Sequence, residues 1–111
     1  MQIINIKSKK EFNDFISDSN ETVKCVKFGA IWCNPCKTLD NAIERAYEEQ
    51  VLNCDIGIVD VEDDDLVEIV EEMGIMNIPV ISFFKNGTEV DRLVGLSTIE
   101  AINNKLVELN S

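Results

Sequence analysis

Apolar positions along the chain switch between strand and helix periods, and the switches predict the elements. Met1 to Ile6 is a short apolar run of strand type. Ser8, with Glu11 three residues later, then has the spacing of a capping box and opens a helix with Phe12, Phe15 and Ile16 on one face. Val23 to Phe28 is β-branched and strand-like, and from Asn34 to about Gln50 the residues Leu39, Ala42, Ile43 and Ala46 recur at helical spacing. Cys54 to Val61 reads as an interior strand, and Leu66, Ile69, Val70 and Met73 mark a short helix stopped by Gly74. Pro79 opens the strand VISFF, and Asn86-Gly87 is a hairpin signal that joins it, antiparallel, to Thr88 through Val94. Ser97 and Glu100 have capping-box spacing before a last helix with Ile99, Ile102, Leu106 and Leu109 on its inner face. Helices between strands, ending in a hairpin, predict an α/β domain with a mixed central sheet covered on both faces.

The totals narrow the function. At 111 residues, 45% hydrophobic and 28% charged, the chain is expected to form one domain over residues 1–111 that buries a core without cross-links. A formal charge of -11 argues against nucleic acid and against anionic membrane, since both need clustered Lys and Arg. No apolar run approaches 18 residues and the first residues lack the features of a secretory leader, so a cytoplasmic setting is the expectation. In that reducing compartment four cysteines point to thiols, ligands or a catalytic pair.

The stretch FGAIWCNPCKT holds Cys33 and Cys36 three residues apart at a strand-to-helix turn. Such a pair is a metal half-site, a structural clasp or a redox couple. With no His in the chain and no second C-x-x-C, structural zinc lacks ligands, and no metal is expected. One helical turn, roughly 5.4 Å, separates the two residues along the axis, which suits a disulfide. The positive end of the helix dipole and its unpaired N–H groups favour a thiolate at Cys33, and Pro35 stiffens the link. The chemistry that follows is thiol–disulfide exchange, in which Cys33 attacks a substrate disulfide and Cys36 resolves the mixed disulfide.

FGAIWCNPCK, followed by MGIMNIP, FFKNG and VGLS at these intervals, resembles the thioredoxin family over essentially the whole chain. The resemblance implies a sheet of four to five strands flanked by four helices, an exposed nucleophile at Cys33 and a buried resolving thiol at Cys36. It implies a cis Ile78-Pro79 peptide beside the sulfurs, with Ile78 pairing to an extended substrate segment. Trp32, Ile78, Pro79, Val94, Gly95 and Leu96 match the apolar rim that holds substrate, although Val94 and Leu96 read equally well as core. The implied activity is reduction of protein disulfides by a monomer that uses no cofactor, only its own redox-active Cys33-Cys36 disulfide, recharged by a thioredoxin reductase or an equivalent donor. A more oxidising or substrate-dedicated oxidoreductase, and a binding module without turnover, are the alternatives.

The chain departs from the family pattern at Asn34, where Gly is usual, at Asn41, where many members have a helix-kinking Pro, and at Lys27, where many have a buried Asp beneath the resolving cysteine. Lys27 either reaches solvent past the strand end or acts on Cys36, and Asp60 on the neighbouring strand is its expected partner. Glu62 to Asp65 read as a solvated helix cap, and Cys25 and Cys54 as small buried hydrophobes that could pair under oxidation.

Overall fold

The computed structural model describes residues 2–17 and 22–111. Met1, included in the predicted first strand, lies outside them. The elements run β1 (Ile3–Asn5), α1 (Lys9–Ile16), β2 (Lys24–Gly29), α2 (Asn34–Glu48), β3 (Ile56–Asp60), a 3-10 turn (Asp64–Leu66), α3 (Val67–Glu72), β4 (Val80–Lys85), β5 (Thr88–Val94) and α4 (Ile99–Asn110). The strands form one sheet in the order β1-β3-β2-β4-β5, parallel across the first three and antiparallel from β2 to β4 and from β4 to β5. This is the expected mixed sheet, with five strands and four helices among the described residues.

Strand alternation sorts the core into two layers. Cys25, Ile56, Ile81 and Phe83 face α2 and α4, where they meet Leu39, Ile43, Ile102 and Leu106. Val26, Phe28, Val59, Val80 and Phe84 face α1 and α3, where they meet Phe12, Ile16 and Ile69. Phe12 and Phe84 pack edge to face with centroids 5.7 Å apart. All six residues of β2 are buried, as its central place in the sheet requires.

Local signals act largely as predicted. Ser8 Oγ accepts the Glu11 N–H at 3.1 Å, so Ser8 caps α1, and Glu11 Oε2 reaches one residue past the cap to accept the Lys7 N–H at 2.9 Å. Asp63 caps the 3-10 turn through the Asp65 N–H at 2.9 Å. Asn86 (φ 53) and Gly87 (φ 82) both take the left-handed conformation that a two-residue hairpin turn demands. The cap of α4 differs from expectation. Thr98, not Ser97, is extended and accepts the Ala101 N–H at 3.0 Å, while Ser97 Oγ turns to the Gly95 carbonyl. The helix therefore starts one residue later, and Ala101 occupies the place at which a capping box needs an acid.

Candidate active site

The turn from β2 into α2 brings the two cysteines together. Cys33 is the N-cap of α2, extended at φ -89 and ψ 109, and its Sγ accepts the Cys36 N–H at 3.3 Å. Asn34 and Pro35 fill the first two helical positions, so the missing N–H of Pro35 leaves nothing unpaired. Cys33 and Cys36 are joined by a disulfide with their Cα atoms 5.2 Å apart. No acidic side chain lies in the first turn of α2, so the positive helix end is left to act on sulfur. Negative charge on Cys33 would be met there by a directed N–H and by the dipole together.

Cys33 is less open than expected. It is 5% exposed and Cys36 is fully buried, because both sulfur-bearing residues pack with Ala30 against Val61 and Ile78. Cys33 is the outer of the two, but it is not the exposed residue expected.

Register explains what surrounds it. Phe28 of β2 pairs with Val80 of β4, and Val80 pairs with Val94 of β5. The end of β2, the start of β4 and the end of β5 therefore share one edge of the sheet, and the loops leaving them converge. Around that edge Trp32, Val94 and Leu96 are exposed at 65%, 60% and 57%, so Val94 and Leu96 are surface rather than core. Ile78 is half-buried, Pro79 is buried and the Ile78-Pro79 peptide is cis. The Pro79 carbonyl is committed to the Gly95 N–H at 2.8 Å, whereas Ile78 stands outside the strand ladder. Three participants escaped sequence reasoning. Ile31 and Met76 add exposed apolar surface from the same loops, and Trp32 Nε1 donates to Glu62 Oε1 at 2.6 Å, which orients the indole. No periodicity marks loop residues of this kind.

Beneath the sulfurs, Lys27 is 3% exposed, so it does not reach solvent past the strand end. Its partner is also not Asp60. Lys27 Nζ lies 2.8 Å from Asp40 Oδ1 of α2, whereas the Asp60 carboxylate accepts the Glu62 N–H at 2.9 Å. The Lys27–Asp40 contact is a charge pairing rather than an aligned hydrogen bond, since Oδ1 is buried and accepts none among the described residues. Asp40 follows Cys36 by four residues, a helical spacing that could have flagged it. Helix α2 runs uninterrupted through Asn41.

Cys25 and Cys54 are buried free thiols with sulfurs 3.5 Å apart, away from this edge. Their hydrogen bond, reinforced by burial, pushes the Cys25 thiol well above its ordinary range. Larger hollows elsewhere, about 550 Å³ beside Tyr47 and about 380 Å³ between α2 and α4, are lined by no cysteine.

Comparison with known proteins agrees with this geometry. The thioredoxin family model matches residues 3–108. A thioredoxin of Chlamydia caviae is 35% identical over 100 residues, covering 90% of this chain and 92% of that protein. Thioredoxin domain-containing protein 2 of Homo sapiens is 32% identical over 93 residues, and the match spans only 16% of that longer protein. The solution structure of oxidised thioredoxin from Plasmodium falciparum superposes with a TM-score of 0.77 at 28% identity, covering 98% of this chain and 99% of that one. A family model over nearly the full length, the shared fold and a disulfide at the N-cap of α2 carry one conclusion: the chain belongs to the thioredoxin family and is a dithiol–disulfide oxidoreductase.

Proposed function

We propose that the chain reduces disulfides in other proteins, with Cys33 as nucleophile and Cys36 as resolving thiol. The observation that carries this reading is the unequal setting of the two sulfurs: Cys33 caps α2 at the converging loops, and Cys36 is sealed behind it.

In the dithiol form the Cys33 thiolate, held by the Cys36 N–H and the helix end, attacks one sulfur of a substrate disulfide. A Cys33–substrate bond forms, the substrate S–S bond breaks, and the second substrate sulfur leaves as a thiolate that takes a proton from solvent. Cys36 then loses its proton and attacks Cys33 Sγ. The Cys33-Cys36 bond forms and the first substrate sulfur departs, so two electrons have passed to the substrate. The two sulfurs carry these electrons themselves, which is why the reading invokes no bound cofactor. Trp32, Val94, Gly95 and Leu96 supply the apolar rim, and the Ile78 backbone beside Pro79 offers an extended segment a strand to pair with. Pro35 holds the two sulfurs at the start of one rigid helix.

A reductase of the kind the family uses would return the pair to the dithiol. The site is complete within one chain, which supports a monomer, and cysteine usage supports the cytoplasm as working compartment. Reduction of a model protein disulfide tests the reading. Cys33→Ser should abolish it, and Cys36→Ser should accumulate a stable mixed disulfide through Cys33. Trapping through Cys36, or no reduction by the unaltered chain, overturns it.

A further inference from the structure

Among the described residues the only buried charged side chains are Lys24 and Lys27. Lys24 lies at the far end of β2 and pairs with Asp55. Lys27 lies under the active site, and the backbone of Gly29 shows how close it comes. A Cβ placed on Gly29 would meet Lys27 Nζ at 2.6 Å and Cys36 Sγ at 3.1 Å. The ammonium and the resolving sulfur can therefore be no farther apart than the sum of those two distances. Glycine at position 29 is what lets the lysine stem lie across the strand toward the sulfur.

Lys27 and Gly29, but not Cys36, border a cavity of about 250 Å³ that Lys37, Asp40, Ile58 and Asp60 also line. Each charged group in it has a defined place. Asp60 is committed to the Glu62 N–H, Lys37 is exposed, and Asp40 stands half-buried against the Lys27 ammonium. A positive charge thus lies close to Cys36 and is itself paired with the Asp40 carboxylate.

We propose that Lys27 is the group that stabilises the Cys36 thiolate as it resolves the mixed disulfide, and that Asp40 is a positioning residue acting through Lys27. This rests on the exchange reading above. The cation favours loss of the Cys36 proton, which passes to solvent. The freed electron pair then forms the bond to Cys33 Sγ and expels the substrate thiolate. An opposite charge at such a distance moves a thiol's ionisation constant by tenfold or more. By the same effect it favours the dithiol over the disulfide.

The experiment follows Cys36 by carbon NMR of its labelled Cβ during a pH titration in the Cys33→Ser chain, with and without Lys27→Met, Lys27→Arg or Asp40→Asn. Lys27→Met should raise the Cys36 titration by about one unit or more, a tenfold change in ionisation. In the chain with both active-site cysteines it should slow resolution of a trapped mixed disulfide similarly. It should also shift equilibrium with glutathione about tenfold toward the disulfide, a potential lower by about 30 mV. Lys27→Arg should keep the wild-type titration, and Asp40→Asn should move it in the same sense as Lys27→Met but less. An unchanged Cys36 titration in Lys27→Met overturns the proposal. So does slower resolution with no change in titration, because Lys27 would then be accepting the proton rather than stabilising the thiolate. The titration needs no turnover, so a chain that fails to reduce proteins would sink the proposed function and leave this result readable.

Discussion

Removing Asp40 should cost far more than its place on a half-exposed helix position suggests. Asp40→Ala leaves Lys27, only 3% exposed, without the carboxylate 2.8 Å from its ammonium. Breaking a fully buried pair costs roughly 3–5 kcal/mol, and losing an exposed one costs about 0–1 kcal/mol. The Asp40 side chain is 39% exposed, and the adjoining cavity gives the stranded ammonium access to water, so the expected cost falls between these at about 2 kcal/mol. For a domain of this size that is a fall in Tm of about 8 °C. The urea midpoint should fall by about 1 M if the denaturant slope is near 2 kcal/mol/M. Lys27→Met takes the counter-charge from Asp40 but keeps the apolar stem, and should cost less than Asp40→Ala because that carboxylate is 39% exposed and can turn to water. The variant with both Lys27→Met and Asp40→Ala strands neither charge and should cost less than the sum of the two. Equilibrium urea unfolding of the oxidised forms provides the assay. If Asp40→Ala unfolds within about 0.5 kcal/mol of wild type, as an ordinary surface substitution would, the ammonium does not depend on Asp40 and the reasoning is wrong.

Two further outcomes follow from groups outside the site. Cys25 and Cys54 are buried and free, so a thiol reagent should find no reactive cysteine in the oxidised native chain and two after unfolding in urea; rapid labelling of either under native conditions would contradict their burial. Burial pushes the Asp55 carboxyl up, but hydrogen bonds from Lys24 and the Gln2 N–H outweigh it and hold the group below its ordinary value. Its contribution is then complete above about pH 4 and is lost as pH falls through the depressed folded-state value, so Asp55→Asn should destabilise at neutral pH and approach wild type in strong acid. An Asp55→Asn deficit that stays constant down to strong acid would show that the carboxylate is not what stabilises.

Signals that act over a few residues were legible in the sequence. The Cys-Asn-Pro-Cys turn, the Asn86-Gly87 hairpin and the Ser8 cap each carry their geometry in side chains three or fewer residues apart, and tertiary packing had little to change. Where a signal was offset by one residue, as at Ser97 and Thr98, composition left both open and the path of the chain after Gly95 decided between them. The opening of Cys33 was not legible at all. It depends on Val61 and Ile78 arriving from other elements to cover the sulfurs, and nothing near Cys33 in the chain encodes that.

The partner of Lys27 was misjudged for a related reason, and the correct pairing shows how two short-range rules meet. Strand alternation turns Cys25, Lys27 and Gly29 toward α2, and it turns Ile58 and Asp60 the same way, so alternation by itself made Asp60 a fair choice. What it omits is the helix above. Cys36 and Asp40 are four residues apart on α2 and stack on one face, one turn from each other. The strand spacing from 27 to 29 and the helix spacing from 36 to 40 then define a box in which lysine, glycine, sulfur and carboxylate meet. Within that box each residue constrains the others. A side chain at Gly29 would strike the Lys27 ammonium, an apolar residue at position 40 would leave that ammonium buried and unpaired, and Asp40 facing an apolar residue at position 27 would lose its counter-charge. Lys27, which stands where the family resemblance implies an acid, is therefore coupled to Asp40. A functional comparison with an acid-bearing relative is informative only when both positions are exchanged together.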